Sequence, residues 1–265
     1  MCSREMAEPR VRLQGRVSRQ NAKSNHRAHD TVRFVGAIIM VVKRIFDVLL
    51  SATAILLTLP LWLVVGLAVK LGSRGPIFYK SERVGRNGVH FWLYKFRSMR
   101  VDADKNGQVI SAAGDPRQTW VGRLLRHWKI DELPNFLNVL KGDMSVVGPR
   151  PEAPKYVASF SDDEKRVLAV RPGITDMAVS SKYRDEQRIL GQVDDPEEYY
   201  RTVILRDFLA MNLKYVDEPP SLARDLAIIM QTIRATLLNH ATPVEPSLQQ
   251  PRNVEHRQGT PTCRS

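Results

Sequence analysis

The chain has 265 residues, and its 40 Lys and Arg against 28 Asp and Glu give a formal net charge of +12, so it holds one core of ordinary domain size and calls for an anionic partner: nucleic acid, an anionic membrane surface or a phosphorylated substrate. Two cysteines, Cys2 and Cys263, sit far apart and away from any histidine cluster, which excludes a disulfide framework and a Cys/His zinc site and fits a reducing cytosolic setting. Negative mean hydropathy excludes a polytopic membrane protein but leaves room for one short membrane segment.

Residues 1–33 are rich in Arg and poor in apolar side chains, a composition that cannot offset ordering entropy and predicts a disordered basic arm. Anionic headgroups would attract such an arm. The first apolar run, Phe34 to Val42, ends in Lys43-Arg44 with no small-residue cleavage pattern, unlike a secretory signal.

Val48 to Val69 contains no charge and is bracketed by Asp47 and Lys70. As a helix of this length it could cross a hydrocarbon core of roughly 30 Å. Pro60 stands near its middle, where it removes a backbone hydrogen bond and crowds the carbonyl of Leu56, dividing the segment into two halves each deep enough for one leaflet. Lys43 and Arg44 precede the segment and Lys70, Arg74, Lys80, Arg83 and Arg86 follow it, so both flanks carry the basic excess expected of a cytoplasmic side. The pattern predicts a re-entrant, Pro-broken helix over about 45–71, with a Pro-kinked span as the alternative. Asp47 is expected to be held by Lys43 or Arg44.

Gly72 to Pro76 is turn chemistry, Ile77 to Lys80 reads as a short strand, Asn87-Gly88 is a hairpin signal and His90 to Arg97 is the returning strand. Arg83, Arg86, Lys95 and Arg97 make this hairpin basic, suited to a nucleotide diphosphate or lipid phosphate, with single-stranded nucleic acid as the alternative. Asp102 to Asp115 is polar and reads as a loop. A helix then runs to Trp128, with Val121, Leu124, Leu125 and Trp128 at helical spacing.

Asp131 and Glu132 are adjacent carboxylates just before Pro134, which suits the first turn of a following helix. The dyad is therefore expected at a helix start, where the dipole favours ionised carboxylates and a neighbouring phosphate. Asn135 to Lys141 would bury Phe136, Leu137, Val139 and Leu140, with Gly142 as the stop. Arg126, Lys129 and Arg150 supply cations. Carboxylates beside arginines suggest metal-assisted phosphoryl chemistry; a plain helix cap is the bland alternative for an isolated dyad.

Arg171 to Thr175 reads as a turn, with Arg171 a candidate nucleotide contact. Asp185-Glu186 among Lys182, Arg184 and Arg188 reads as an exposed salt network. A helix over Glu197 to Val216 should turn Tyr200, Val203, Ile204, Phe208, Met211 and Tyr215 inward. Ser221 should cap a last helix with Leu222, Leu226, Ile229, Met230 and Ile233 on one stripe. Residues 241–265 read as a disordered tail.

Lys43-Arg44-Ile45-Phe46-Asp47, Gly75-Pro76-Ile77-Phe78, Glu82-Arg83-Val84-Gly85, Tyr94-Lys95-Phe96-Arg97-Ser98-Met99, Asp131-Glu132-Leu133-Pro134, Gly142-Asp143-Met144-Ser145 and Val147-Gly148-Pro149-Arg150-Pro151 occur in this order. Together they give a chain that resembles the monotopic phosphoglycosyl transferases, the bacterial sugar transferase family, over residues 43–237. The resemblance implies transfer of a phosphosugar from a UDP-sugar to undecaprenyl phosphate with release of UMP, at the cytoplasmic face of a bacterial inner membrane. It implies Asp131 as nucleophile, Glu132 as the Mg²⁺ ligand, and Arg126, Arg150, Arg83, Lys95, Arg97 and Arg171 as phosphate or substrate contacts. Membrane lipids are expected partners, nucleic acid is not, and a homo-oligomer stays open. The family's Ser-Pro break appears here as Thr58-Leu59-Pro60, its Gly-Ile-Thr-Gly as Gly173-Ile174-Thr175-Asp176, and an Asp of one branch as Asn212. The expected fold is helix-rich α+β: a catalytic domain over 34–240 in which a short β-hairpin and amphipathic interfacial helices follow the membrane helix. A basic peripheral membrane or nucleic-acid-binding module without catalysis is the alternative.

Overall fold

The computed structural model describes residues 9–103, 110–180 and 186–238, with side chains over 36–103, 110–178 and 186–236. Helix α1 (Pro9–Gly72) takes in residues 9–33, which composition assigned to a disordered arm. The reason is cooperativity: a helix nucleated by the apolar segment is extended at little cost by residues such as Arg, Gln and Ala. Residues 1–8 of the expected arm and the expected tail at 241–265 lie outside the described residues, as do Lys182, Arg184 and Asp185.

Within α1, Gly36–Gly72 is long and apolar enough to cross a membrane, by length and composition. Pro60 lies inside the helix, which continues on both sides of it. Thr58 Oγ1 donates to Ala54 O at 2.6 Å and accepts from Trp62 Nε1 at 3.1 Å, so the Thr58 hydroxyl braces the turns around the proline.

Both ends of the apolar segment dock on the same body. At the first end, Asp47 and Ser51 are buried, and Leu50 packs against Val139, Met144 and Val147. At the second, Val65 and Val69 form a core with Phe96, Val121 and Leu125. Between them, Leu56, Leu57, Leu59, Leu61, Leu63 and Val64 face outward.

Strands β1 (Phe78–Val84) and β2 (His90–Phe96) pair antiparallel, Phe78 opposite Phe96 and Val84 opposite His90. The turn between them follows the Asn-Gly signal, Asn87 and Gly88 taking φ of 58° and 77°. Trp62 meets the Phe96 ring edge-on at 5.4 Å, and Phe78 stacks on Phe96 at 5.3 Å, which clamps α1 to the hairpin.

Helix α2 (Trp120–His127) is capped by Thr119, whose Oγ1 accepts from Gly122 N at 2.9 Å. Its buried face is Val121, Gly122 and Leu125. Leu124 and Trp128, the other two positions of that helical spacing, are exposed with Trp120. Gly122 sets this phase: a Cβ there would lie 1.8 Å from Ser98 O, so only glycine lets the helix approach the strand exit.

Helix α3 (Asn135–Lys141) ends at Gly142 in the left-handed region, as expected. It buries Asn135, Asn138 and Val139, while Phe136 and Leu137 are half-buried and Leu140 is exposed. Asn138 determines the face. Its amide donates to Trp92 O at 2.7 Å and accepts from Tyr94 N at 3.0 Å, fastening α3 to β2.

Strand β3 (Ser145–Val147) pairs in parallel with β4 (Gly173–Thr175), so the stretch expected as a simple turn supplies a strand. Short helices α4 (Pro154–Val157) and α5 (Glu186–Leu190) follow the two strands. Next come α6 (Pro196–Tyr199), a π-turn over Tyr200–Ile204 and α7 (Leu205–Asp217). The π-turn resets the helical phase, so Leu205 and Leu209 are buried along with the expected Tyr200, Ile204, Phe208 and Tyr215.

Ser221 caps α8 (Leu222–Leu238) as expected, its Oγ accepting from Arg224 N at 3.3 Å. The buried side of α8, however, is Asp225 and Ile228, and Leu226, Met230 and Ile233 face outward. Asp225 fixes that phase by pairing with Lys43 of α1 and accepting from Tyr215 Oη at 2.9 Å. Lys43 is therefore committed to Asp225 rather than to Asp47. Asp47 instead accepts from Ser145 Oγ at 2.8 Å and Val146 N at 3.1 Å, so its partners belong to β3 and not to its own helix.

Candidate active site

The site grows from the joint between α2 and α3. After α2, Lys129 adopts the left-handed conformation at φ 57°, unusual for a side-chain-bearing residue and common where a function requires strain. That reversal starts a three-residue 3₁₀ turn, Ile130–Glu132. Ile130 and Leu133 pack into the core shared by Val69, Phe96 and Val121, so the dyad between them is held from both sides.

Asp131 is 6% exposed. It is not a helix cap, since neither the 3₁₀ turn nor α3 has a side-chain cap and the N-cap positions are Lys129 and Pro134. The cap reading thus fails, and with it the expectation that a helix dipole keeps both acids ionised. Burial pushes the Asp131 carboxyl above its ordinary range, and the negative charge of Glu132 adds to the push against Lys95, Arg126 and Lys129. For Glu132, burial alone would do the same, but Lys95, Lys129 and Arg150 outweigh it and hold the carboxyl well below the usual range. Lys95 Nζ donates to Glu132 Oε1 at 2.7 Å. Two adjacent carboxylates are thus driven apart in basicity, the pattern of groups with different tasks.

Arg126 reaches the dyad electrostatically while held from behind. Its Nη1 donates to Ser111 Oγ at 3.1 Å, and Gln187, with its amide turned so that oxygen meets guanidinium, accepts from Nε at 3.1 Å and Nη2 at 3.0 Å. Arg150 is exposed and lies in the field of Glu132. Arg83, at the end of β1, has its Nε buried without a hydrogen-bond partner among the described residues and bears on Glu152.

Two sequence candidates lie elsewhere. Arg97 is 4% exposed, and its Nη2 donates to Ser73 O at 2.7 Å and Ser73 Oγ at 2.9 Å, closing the C-terminal end of α1. Arg171 Nε donates to Gly142 O at 2.9 Å, and Arg44 Nη1 donates to Val139 O at 2.7 Å. These two cations gather at the C-terminal end of α3, opposite the dyad. The structure therefore brings together Asp131, Glu132, Lys95, Arg126, Lys129 and Arg150, and sets Arg97 and Arg171 apart.

Sequence reading missed Ser111 and Gln187, which seat Arg126, and Glu152 with Tyr200, which stand behind Arg150. None carries a local signal. Only Glu152, two residues beyond Arg150 in Pro149-Arg150-Pro151-Glu152, was within reach of motif spacing.

The donor set is hard oxygen and suits a divalent cation that arrives with phosphate. Among the described residues no group of three or more His, Cys, Asp and Glu forms a cage. Mg²⁺ commonly takes one or two carboxylates plus substrate phosphate oxygens, and the ionised Glu132 beside Asp131 fits that requirement.

A helix-rich α+β body with one helix long and apolar enough to cross a membrane and a carboxylate pair ringed by cations is compatible with a membrane-associated transferase. The chain belongs to the bacterial sugar transferase family, whose model matches residues 38–239. It is 38% identical over 199 residues to a UDP-N-acetylgalactosamine-undecaprenyl-phosphate N-acetylgalactosaminephosphotransferase of Aeromonas hydrophila, covering 74% of this chain and 44% of that protein. It is 38% identical over 205 residues to the exopolysaccharide production protein PSS of Rhizobium leguminosarum bv. phaseoli, covering 75% of this chain and 96% of that protein. A UDP-glucose:undecaprenyl-phosphate glucose-1-phosphate transferase of Caulobacter vibrioides is 38% identical over 199 residues, covering 74% of this chain and 69% of that protein.

Proposed function

We propose that this protein transfers a phosphosugar from a UDP-sugar to undecaprenyl phosphate, releasing UMP, through a covalent aspartyl intermediate, and so starts a polysaccharide or glycoconjugate. The supporting observation is the buried Asp131, raised in basicity beside an ionised Glu132 and surrounded by Lys95, Lys129, Arg126 and Arg150. A basic nucleic-acid or membrane module would gain nothing from burying such a carboxylate.

In this reading Asp131 attacks the phosphorus nearest the sugar. A bond forms from carboxylate oxygen to phosphorus while the bridging bond to UMP breaks, and UMP leaves with the electron pair. The phosphate oxygen of the polyprenyl acceptor then attacks the same phosphorus and regenerates the carboxylate. Mg²⁺ held by Glu132 and the diphosphate would neutralise charge on the leaving phosphate. Arg126 and Arg150 bind phosphate oxygens, and Lys95 keeps Glu132 ionised.

The apolar helix brings the acceptor within reach. Its ends dock on one body at Asp47 and Val69 while its middle points outward. This arrangement supports a re-entrant, monotopic insertion from the cytoplasmic face, with Trp120, Leu124 and Trp128 of α2 and Leu226, Met230 and Ile233 of α8 at the headgroup level. The relatives' names differ in the sugar, N-acetylgalactosamine in one and glucose in another. The test is to incubate the purified protein with Mg²⁺, undecaprenyl phosphate and each UDP-sugar in turn. One of them should give UMP, and release of UMP from none would refute the proposal.

A further inference from the structure

Among the buried carboxylates that the mechanism above leaves unused, Glu152 lies nearest the arginines of the site. Glu152 is 7% exposed, and its Oε1 accepts from Tyr200 Oη, itself buried, at 3.0 Å. Its backbone is also fixed, since Glu152 O accepts from Val84 N at 3.0 Å, next to Arg83. Pro151 favours an extended backbone at Arg150, and in an extended chain residues two apart share a face. Arg150 and Glu152 accordingly line one cleft, whose other walls include the apolar Val84, Pro149, Phe160 and Phe208. A bare carboxylate in such surroundings is costly: burial pushes the Glu152 carboxyl up, Glu186 adds to the push, and Arg150 and Arg83 are the positive charges that oppose it, Arg150 also lying in the field of Glu186. Arg150 in turn bears on Glu132.

We propose that Glu152 is a positioning residue for the diphosphate: tethered by Tyr200, its carboxylate holds Arg150 and Arg83 in the orientation that meets the phosphates of the nucleotide donor. This rests on the UDP-sugar reading and adds to it a buried anion that never touches substrate. Burial disfavours the Glu152 charge and the two guanidinium groups oppose that penalty, so in this proposal the carboxylate draws both arginines toward the cleft before the donor arrives.

The experiment measures UDP binding, and separately the KM and kcat of UMP release, for the full-length protein and its Glu152→Gln, Arg150→Gln and double variants. Glu152→Gln keeps the shape and the acceptor for Tyr200 while removing the charge. It should weaken UDP by about tenfold, the worth of one charge-assisted hydrogen bond, with KM rising more than kcat falls. Because Glu152 acts through Arg150, adding Glu152→Gln to Arg150→Gln should cost little further. Tyr200→Phe, which keeps the carboxylate and removes its tether, should weaken UDP in the same direction by less, with a lowered melting midpoint, and tests the proposal should the glutamine variant not fold. Wild-type UDP affinity in Glu152→Gln, or penalties that multiply in the double variant, would overturn the proposal. A wild-type protein that binds UDP in this Glu152-dependent way yet releases no UMP would contradict the proposed function and leave the positioning role standing.

Discussion

Replacing Asp47 separates two accounts of how α1 is joined to the catalytic body. The Asp47 side chain is 2% exposed and accepts from Ser145 Oγ at 2.8 Å and Val146 N at 3.1 Å. Asp47→Ala strands the Val146 N–H in a buried place, while the Ser145 hydroxyl keeps Val147 O, 3.0 Å away, as its acceptor, so the loss is about 1–3 kcal/mol. A loss of about 2 kcal/mol lowers the melting midpoint of a domain this size by about 4–8 °C. Asp47→Asn should be mild. Its oxygen still accepts from Val146 N, and its amide donates to Ser145 Oγ, whose own proton turns to Val147 O, 3.0 Å away. All groups stay paired, and the residual cost is about 1 kcal/mol, the difference between a charged and a neutral acceptor. Thermal unfolding in detergent micelles, followed by near-UV circular dichroism, measures both. Equal midpoints for the Ala and Asn variants would show that hydrogen bonding at Asp47 is not what fastens α1 to β3.

Three further outcomes follow from the same geometry. Lys95→Met removes a cation that lowers the pKa of both acids, so the acid limb of activity, where Asp131 must be deprotonated, should move to higher pH; about a tenfold or greater loss at neutral pH accompanies it, and an unmoved limb would refute the role. Asp131→Asn should abolish turnover yet raise the melting midpoint at neutral pH. The sign follows from the raised folded pKa: an ionised Asp131 opposes folding above its unfolded pKa, so removing its charge helps there, and a lowered midpoint would contradict the burial argument. Cysteines placed at Lys43 and Arg74 should react with an impermeant thiol reagent from the same side of an intact vesicle, and labelling from opposite sides would establish a span.

Local chemistry was a good guide wherever a short stretch decides its own shape. The Asn87-Gly88 turn, the Gly142 stop and the Ser221 cap depend on backbone preferences of one or two residues. Helix phase was not legible in the same way. An apolar stripe says which side could be buried, but α8 turned Leu226, Met230 and Ile233 outward because Asp225 had partners in Lys43 and Tyr215 far along the chain. On α2 a contact with Ser98 through Gly122 had the same effect, and a π-turn over Tyr200–Ile204 brought Leu205 and Leu209 into the core beside the expected Ile204 and Phe208. For the site, the order of motifs marked Asp131, Glu132, Lys95, Arg126 and Arg150, which the fold gathers. It could not distinguish an arginine aimed at substrate from one spent on a helix end. Arg97 and Arg171 carry the same charge and lie in similar motifs, yet their donors go to carbonyls at the ends of α1 and α3.

The most direct test is the mass of the protein after mixing with Mg²⁺ and its UDP-sugar in the absence of any lipid acceptor. A nucleophilic Asp131 gives one equivalent of UMP and a mass increase of one phosphosugar on the peptide containing Asp131, discharged on adding undecaprenyl phosphate. Labelling that persists in Asp131→Asn, or turnover with no adduct at any time point, would contradict the assignment.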